Sequence, residues 1–556
     1  MCDLLIKNGT IIDGSGSAAF RADIAIKDGK IQRLEPSLKV ECKKELDATG
    51  KIVCPGFIDI HSHTDTTILI NPKAESKIRQ GVTTEIVGNC GMSVAPLSNE
   101  FIEEIRDHLT VNTDFGNPGI IGKLWVSFGE YIQYLNQLPL GINLVPLIGY
   151  GTLRTAVVGF KSGRLTPKEN QALEFLLEKS LEEGAAGLST GLEYIPDSLC
   201  QPKELIRLGQ IIERHNKVYS SHIRGEAQTL FPAIKEAIHT AEESGCMTEI
   251  SHLKLGGMFN WGKTDQLFEL LESALSRGVR LSWDQYPYIA WGTGLVDYIP
   301  DWVKLEGPRK LVQKLSEPIS RKKIRREIEK SIKTGNHPYN AAPWENVQIS
   351  LVAASENKAM EGKTVAEIAQ ELDMDPIEFV FDLLVSEKGA VKTIVFCMDE
   401  ADIQSILKHP KTIIASDGRA GAVYGPLDTG RTHPRYYGTF PRILGKYVRD
   451  EKLLSLETAI RKMTSMPAAI MGMHNRGTLA PNMVADITIF DPKTVTDIAT
   501  FEYSRQYSKG IEAVIVSGQI VINQGIHTGN MAGKVLSDKE TQRIQAFSHQ
   551  PSAVNF

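Results

Sequence analysis

The middle of this chain repeats one pattern eight times, a short apolar run followed by a longer amphipathic stretch. Runs of this length suit buried strands, and the stretches between them have the apolar spacing of helices. Strands that alternate with helices build a parallel sheet with helices on its faces. The eight runs are 56–61, 84–90, 143–148, 186–190, 218–222, 248–252, 280–284 and 412–417. Because eight is also the strand number of the (β/α)8 TIM-type barrel, an α/β fold of this kind is predicted.

The segment before the fourth run predicts a helix in detail. Thr166 and Glu169 have the spacing of a capping box, and Pro167 lies between them at the first helical position. Leucines follow at helical spacing, and Gly184 supplies a stop signal. We therefore expect a helix that leads directly into the fourth strand.

The two ends of the chain have a different pattern from its middle. Both contain short alternating apolar runs, and those near the N-terminus are separated by Asn-Gly and Asp-Gly pairs, which are typical of β-hairpins. We predict one small β-sandwich domain built from residues 1–55 and 476–535, and a barrel over 56–475. Residues 536–556 are polar and are predicted to form a C-terminal tail.

The segment between the seventh and eighth runs is far longer than an ordinary loop, at about 130 residues. We expect an insertion there, with a helical part over 286–348. Because it emerges from the rim where barrel strands end, it is placed to act as a lid. A basic run at 321–326 is followed by glutamates and is interpreted as a solvated helix face.

Composition excludes several classes of partner. The chain has 556 residues, 42% of them hydrophobic, and a formal net charge of −5, so it lacks the basic field that attracts nucleic acid or anionic lipid. No apolar run approaches the roughly 20 residues of a membrane span, and the N-terminus does not resemble a signal peptide. The seven scattered cysteines argue against a disulfide framework. We expect a cytoplasmic protein that acts on a small molecule.

The strongest local motif is a pair of histidines at the end of the first run. His61 and His63 are separated by one residue, so they point to the same side of an extended strand. Neutral imidazole is a good zinc ligand, and two on one side make half a site. Taken alone, the pair is also consistent with a coincidental arrangement in a loop.

Four further residues strengthen the metal interpretation, because each lies at the end of its own apolar run. They are Cys90, His222, His252 and Asp417. Singly, a cysteine or histidine has a structural role more often than a metal-binding one. In a parallel barrel, however, the carboxyl ends of all strands meet at one mouth, where barrel enzymes have their active sites.

With these residues in place, the chain resembles the amidohydrolase superfamily, and within it the N-acyl-D-amino-acid deacylase (D-aminoacylase) family, from about residue 3 to 535. The resemblance rests on His61-Ser62-His63-Thr64-Asp65, Gly88-Asn89-Cys90-Gly91, Ser221-His222-Ile223-Arg224, Ser251-His252-Leu253-Lys254, Tyr286-Pro287-Tyr288, Ser416-Asp417-Gly418 and His433-Pro434-Arg435. It implies zinc-dependent hydrolysis of the amide bond of N-acyl-D-amino acids.

The resemblance also assigns roles to individual residues. Cys90, His222 and His252 would hold a tightly bound zinc, and His61, His63 and Asp417 would surround a weaker second metal position. Asp417 would also carry the proton from water to the leaving amine. The substrate carboxylate would be bound by Lys254 and by Tyr288 or Tyr286, with Arg224, Tyr194 and Arg435 as further candidates. Tyr150 stands where many relatives have histidine, and His433 receives no role.

The fourth run separates this family from hydantoinases and dihydroorotases, which typically bridge two metals with a carbamylated lysine at this strand. Residues 185–192 contain no lysine. Cys90 can supply the bridge instead, because a metal-bound thiol is deprotonated and thiolate suits zinc.

Two alternatives remain open at this point. Another metal amidohydrolase, such as a dipeptidase, a cyclic amidase or an N-acetyl amino-sugar deacetylase, would share the ligands and differ only in its pocket. A non-catalytic scaffold with the same fold would be expected to lose metal ligands, whereas all six are present here.

Overall fold

The structure is a computed structural model that describes residues 1–112, 124–536 and 540–541. The strands are β1 (Cys2–Ile11), β2 (Phe20–Lys27), β3 (Lys30–Glu35), β4 (Cys42–Asp47), β5 (Ile52–Pro55), β6 (Phe57–Asp59), β7 (Val82–Val87), β8 (Asn143–Pro146), β9 (Ile148–Gly149), β10 (Gly187–Gly191), β11 (Val218–His222), β12 (Met247–Ile250), β13 (Leu281–Gln285), β14 (Ala290–Gly294), β15 (Val347–Leu351), β16 (Lys392–Phe396), β17 (Thr412–Ile414), β18 (Ile487–Phe490), β19 (Ile511–Val516), β20 (Gln519–Asn523) and β21 (Ile526–His527).

The α-helices are α1 (Glu75–Ile78), α2 (Ile102–Asn112), α3 (Phe128–Gln137), α4 (Tyr150–Val158), α5 (Pro167–Glu182), α6 (Pro202–Arg214), α7 (Leu230–Ser244), α8 (Thr264–Ser276), α9 (Asp301–Lys304), α10 (Pro308–Ser316), α11 (Pro318–Lys333), α12 (Val365–Glu371), α13 (Pro376–Ser386), α14 (Glu400–Lys408), α15 (Arg435–Arg442), α16 (Leu456–Met463) and α17 (Ser465–Ile470). A π-helical segment, Ile443–Asp450, continues α15.

Each of the eight predicted runs contains a strand, and these strands form two parallel sheets. One sheet has the order β17-β13-β12-β11-β10-β9, and the other has the order β6-β7-β8. Only one residue separates β8 from β9 along the chain. On the opposite side, a parallel bridge between Ser62 and Gly418 links the segments that follow β6 and β17. The two sheets therefore adjoin on both sides.

The helix predicted before the fourth run is confirmed. Thr166 caps the nitrogen end of α5 through a complete capping box with Glu169, and Pro167 is its first residue. Gly184 follows the helix with a φ of 112°, a left-handed conformation that glycine adopts without a steric penalty. Local signals alone therefore located both helix ends.

Strands from both ends of the chain form one nine-stranded sheet, which comprises β1 to β5 and β18 to β21. The two groups join where β18 pairs antiparallel with β5. Parallel pairing of β1 with β4 brings Cys2 against Cys42, and these two cysteines form a disulfide. The scatter of cysteines along the sequence did not indicate this pair. The other five cysteines are free and buried.

The segment between β13 and β17 contains α9 to α14, as the insertion prediction requires, but it also contains a small antiparallel sheet with the order β14-β16-β15. The sequence analysis missed that sheet, although β15 alternates apolar and polar residues and β16 is rich in β-branched residues. Of the predicted C-terminal tail, only Leu536, Glu540 and Thr541 fall within the described residues. Among the helices described, none has the length and apolar character needed to cross a membrane.

A buried ion cluster ties the first, second and last parallel strands together. Lys77 on α1 has no exposed side-chain surface, and its Nζ lies 2.8 Å from both Asp59 on β6 and Glu85 on β7. The same ammonium donates to Ser416 Oγ, 2.6 Å away and just beyond β17. Burial alone would lower the pKa of Lys77, but the two carboxylates outweigh it and raise the pKa. The lysine is therefore charged.

We expect Lys77→Met to lower the free energy of unfolding by about 3–5 kcal/mol, because it leaves two buried carboxylates without their counter-ion. Equilibrium urea unfolding measures the loss. Lys168→Met on the exposed side of α5 is the matched control, with an expected change within about 0.5 kcal/mol. A Lys77→Met protein as stable as the control would show that the cluster does not stabilise the fold.

Candidate metal centre

The six predicted metal ligands all lie at the carboxyl ends of parallel strands. His61 and His63 follow β6, Cys90 follows β7, His222 ends β11, His252 follows β12 and Asp417 follows β17. Because parallel strands end at the same edge of a sheet, the fold brings these side chains to one region.

Four of the ligands converge closely enough to hold one cation: His61, Cys90, His252 and Asp417. Cys90 Sγ lies 3.3 Å from His61 Nε2 and 3.5 Å from His252 Nε2. His61 Nε2 is also 3.4 Å from Asp417 Oδ1. Ligand atoms at the corners of a tetrahedral zinc site are separated by about 3.3–3.7 Å. The thiol, imidazole and carboxylate groups therefore fit a small divalent cation in both chemistry and spacing.

A second group shares one member with the first and contains a residue that was not predicted. His222, Glu226 and His252 also place their ligand atoms close together. His222 is buried, and within the described chain its Nδ1 has no hydrogen-bond partner. His63 Nε2 lies 3.0 Å from Asp417 Oδ1. His252 thus belongs to both groups, whereas Cys90 and His222 belong to one each.

The backbone is strained where it presents these ligands. Cys90, His252 and Asp417 have φ values of 54°, 38° and 47°. These values lie in the left-handed region, which residues other than glycine, asparagine and aspartate rarely occupy. Such strain concentrates at functional sites. Before Cys90, the turn depends on Gly88, where a Cβ atom would collide with the carbonyl oxygen of Leu147.

Burial sets the protonation of the site. It lowers the pKa of His61 to about 4 and that of His252 to about 3, with His252 also repelled by Lys254. Both rings are therefore neutral near pH 7, which is the form that binds metal. Burial would raise the pKa of Asp417, but Arg435 together with the neighbouring histidines, including a hydrogen bond from His63, holds that pKa well below its usual value.

Three of the predicted substrate-binding residues lie together beside this cluster. Lys254 Nζ lies 2.5 Å from Glu226 Oε1 and 2.9 Å from His252 Nδ1. Arg435 Nη1 lies 2.8 Å from Asp417 Oδ2, and its guanidinium stacks 4.8 Å from the ring centroid of Tyr286. The Tyr286 hydroxyl is buried without a hydrogen-bond partner among the described residues.

The other predicted substrate-binding residues differ in their surroundings. Tyr194 is half-buried, and its ring centroid lies 4.7 Å from that of His222. Arg224 donates to Glu236 and to two backbone carbonyls, so most of its donors are already used. Tyr288 packs against His433, with ring centroids 5.3 Å apart, and its ring lies next to Arg442. Neither Tyr286 nor Tyr288 lines a described cavity, and both hydroxyls are buried without a partner among the described residues. Tyr286 differs in lying against both Lys254 and Arg435.

Two residues left without a firm role now have surroundings that explain them. The Tyr150 hydroxyl donates to Glu204, 2.6 Å away in the core. His433 Nε2 donates to the carbonyl of Ala290, 2.9 Å away, and its Nδ1 accepts from the backbone N–H of Arg435. His433 therefore positions Arg435 against β14.

Known proteins match this chain along nearly its whole length. Residues 44–109 and 334–522 match the amidohydrolase family. D-aminoacylase of Alcaligenes xylosoxydans xylosoxydans is 33% identical over 535 residues, which cover 96% of this chain and 97% of that protein. N-acyl-D-aspartate deacylase of the same organism is also 33% identical, over 96% of this chain and 95% of that protein.

A solved structure agrees with these relatives. N-acyl-D-glutamate deacylase from Bordetella bronchiseptica, complexed with zinc and a phosphonate inhibitor that mimics the tetrahedral intermediate, superposes with a TM-score of 0.79. It is 30% identical and covers 96% of this chain and 99% of its own. This chain belongs to the N-acyl-D-amino-acid deacylase family. The resemblance inferred from the sequence motifs is therefore confirmed.

Within this deacylase, a second layer of carboxylates holds the ligands, and the sequence analysis missed it. Asp284 Oδ2 lies 3.1 Å from His61 Nδ1, and Glu226 Oε1 lies 2.9 Å from His252 Nδ1. Each leaves the opposite ring nitrogen facing the cluster. A carboxylate behind a metal-binding histidine fixes the tautomer and the ring orientation. Asp284 could have been found, because it ends the seventh apolar run as the ligands end theirs.

We expect Asp284→Asn to weaken divalent metal binding by about 10- to 100-fold, because the amide no longer holds the Nδ1–H of His61 as a carboxylate does. Competition with a chelator of known affinity measures the change in the purified protein. Asp265→Asn, on the exposed side of α8, is the control that removes one charge far from the cluster. Equal metal affinities for the two variants would contradict the positioning role.

Proposed function

We propose that this protein is a zinc-dependent hydrolase that cleaves the amide bond of N-acyl-D-amino acids, giving a carboxylate and a free D-amino acid. The supporting observation is the buried cluster of His61, Cys90, His252 and Asp417 in a chain that matches deacylases of this class from end to end. A scaffold without catalytic function would have no need of this complete donor set.

Cys90, His222 and His252 would hold the tight zinc, and His61, His63 and Asp417 would surround the second, weaker position. Zinc, when bound, polarises the amide carbonyl and makes water a stronger nucleophile near pH 7. The unpaired Nδ1 of His222 and the neutral rings of His61 and His252 support this assignment.

Asp417 would accept the proton of the attacking water and pass it to the leaving nitrogen, which cannot depart as an anion. Its low pKa supports the first of these roles, because a base must be ionised before it accepts a proton. His63 and Arg435, in contact with its two oxygens, hold the carboxylate in place.

The α-carboxylate of the substrate would be bound by Arg435, Lys254 and Tyr286. Arg435 offers a planar set of donors that matches a carboxylate. Tyr286 has a buried hydroxyl that lacks a partner within the described chain, and a substrate carboxylate would supply one. Tyr194 lies beside His222, where the acyl group or the side chain would pass.

The two parallel sheets would close into one (β/α)8 barrel over 56–475, with 1–55 and 476–535 as the small β domain. Contact of the sheets on both sides supports closure. The insertion between β13 and β17 would act as a lid, since β14 and the 3-10 turn Leu295–Tyr298 border the cavity. Five free, buried cysteines support a reducing compartment such as the cytoplasm, despite the pair Cys2–Cys42.

The zinc-loaded enzyme should hydrolyse N-acetyl-D-amino acids and leave the matching L-isomers essentially uncleaved. Only one enantiomer can place its acyl carbonyl at the metal site and its α-carboxylate at the carboxylate-binding residues at the same time. Release of the free amine from a panel of D- and L-isomer pairs measures this selectivity. Cleavage restricted to dipeptides, cyclic amides or amino sugars would replace the proposal with one of those activities.

Asp417→Asn should lower kcat by about 100- to 10,000-fold, the usual contribution of a general acid–base group, because an amide cannot carry the proton. Zinc content should stay near one equivalent, since Cys90, His222 and His252 remain. Metal analysis and steady-state kinetics on the same preparation separate the two effects, and Asp382→Asn on α13 serves as the control. Turnover near that of the control would remove the assigned role.

A further inference from the structure

Two cavities meet at the metal residues, and their charges differ. The smaller, of about 100 Å³, is lined by His63, Cys90 and Asp417 and carries three cations, Lys392, Arg419 and Arg435. The larger, of about 740 Å³, is lined by His222, His252 and Asp417. The residues proposed for the α-carboxylate, Arg435 and Lys254, line one cavity each. Because the smaller cavity has much less volume, the side chain of the substrate would extend into the larger one.

In the larger cavity, each lysine and arginine side chain is paired with a carboxylate, whereas several carboxylates have no lysine or arginine partner. Lys254 is paired with Glu226, and Lys304 lies 3.0 Å from Asp301. The third cation, Arg224, is bound to Glu236, 2.9 Å away. Three acids that line the cavity have no lysine or arginine partner within the described chain: Glu193, Asp297 and Glu327. Glu193 lies 3.3 Å from His222 Nε2, and Glu327 accepts from the indole N–H of Trp302, 2.7 Å away. The space next to the catalytic cluster is therefore acidic on balance.

Asp297 holds the most informative position of these acids. It lies in the 3-10 turn Leu295–Tyr298, directly after β14, and it lines both the smaller and the larger cavity. Its carboxylate accepts a hydrogen bond from the hydroxyl of Thr293. Asp297 therefore borders the space next to the cluster in both cavities.

Aromatic rings make up much of the remaining wall. Tyr194, Trp291 and Tyr298 line the larger cavity together with Asp297. Trp302 lines it too, but Lys323 already lies 4.2 Å from the centroid of its ring, so this ring is not counted as a face for the substrate. Aromatic faces attract cations, and a carboxylate next to them supplies the counter-charge. His222, one of the proposed metal ligands, lines the same cavity, and its buried Nδ1 has no hydrogen-bond partner among the described residues. The aromatic wall therefore lies beside the proposed reacting centre. An acidic side chain would instead face repulsion from Asp297, Glu193 and Glu327.

We propose that the preferred substrates are N-acyl-D-amino acids with a cationic side chain, of the lysine or arginine type, and that Asp297 is the residue that selects for that charge. The inference rests on the proposed deacylase activity and specifies its substrate class. An acidic side chain in the smaller cavity is disfavoured, because Lys392 there already donates to the carbonyl of Val111 and Arg435 is assigned to the α-carboxylate that all substrates of the class share.

The first test compares three substrates of similar length on the zinc-loaded full-length protein. N-acetyl-D-lysine and N-acetyl-D-norleucine have the same four side-chain carbons, and only the lysine substrate carries an ammonium on the last of them. N-acetyl-D-glutamate carries the opposite charge. We expect kcat/KM for the lysine substrate to exceed that for the norleucine substrate at least about tenfold, as a charged hydrogen bond implies. The glutamate substrate should be the poorest of the three.

The second test assigns the preference to one carboxylate. Asp297→Asn should reduce the lysine-to-norleucine ratio of kcat/KM about tenfold or more, and Asp297→Lys should shift the preference towards N-acetyl-D-glutamate. Asp301→Asn is the matched control, because Asp301 borders the same cavity but already has Lys304 as its counter-ion. The control should keep the wild-type ratio within about twofold. The rate on the norleucine substrate verifies that each variant is folded.

The results separate the two levels of the proposal. Hydrolysis of all three D-substrates at similar rates, or a preference for N-acetyl-D-glutamate, would overturn the cationic specificity while deacylation itself stands. A lysine preference that survives in Asp297→Asn would overturn the role of Asp297. Failure to hydrolyse any D-substrate would overturn the deacylase function and this inference with it.

Discussion

The site depends on one constraint, namely that the carboxyl ends of β6, β7, β11, β12 and β17 meet at a single edge. The link between the first and last of these strands is short, with Asp417 N–H donating to the carbonyl of His61 across 2.9 Å. The ion cluster of Lys77 lies nearby, where β6 and β7 would otherwise carry the uncompensated buried charges of Asp59 and Glu85. Both features hold His61 and Asp417, which follow the first and the last of these strands, in one place.

The ligands themselves are presented at an energetic cost that the surrounding structure offsets. Three of them, Cys90, His252 and Asp417, occupy left-handed backbone conformations. Three of the ligands are also held from behind: Asp284 contacts His61, Glu226 contacts His252, and Arg435 contacts Asp417. Preorganisation of this kind leaves little rearrangement for the moment of reaction.

Charge divides the space around the cluster into two parts with different tasks. Cations collect on the side of Arg435, where a carboxylate common to all substrates of the class would bind. Acids and aromatic rings collect on the side of Asp297, where substrates of the class differ from one another. The insertion borders both parts, since Lys392 lines the first and Trp291 and Tyr298 line the second. It therefore contributes to the side proposed for the shared carboxylate and to the side proposed for selectivity.

Much of this arrangement was readable in the sequence. The apolar runs located the nine strands of the two parallel sheets, with β8 and the start of β9 in one run, and the capping box placed α5 to within a residue. The six candidate ligands were identified because each ends an apolar run, a local signal that needs no knowledge of tertiary contacts. The His-x-His pair, the missing lysine on the fourth strand and the family motifs then pointed to deacylation.

The tertiary structure decided what local patterns do not encode. A carboxylate such as Glu226 or Asp284 has no sequence mark that separates a ligand-holding role from a surface role, because its partner lies far along the chain or on another strand. The same holds for Tyr286 and Tyr288, which are two residues apart and face different surroundings. Sequence periodicity determined which strand ends carry the chemistry. The packing of distant segments determined which neighbours orient each group, because burial and electrostatic contact depend on distances in the folded structure and not on separation along the chain.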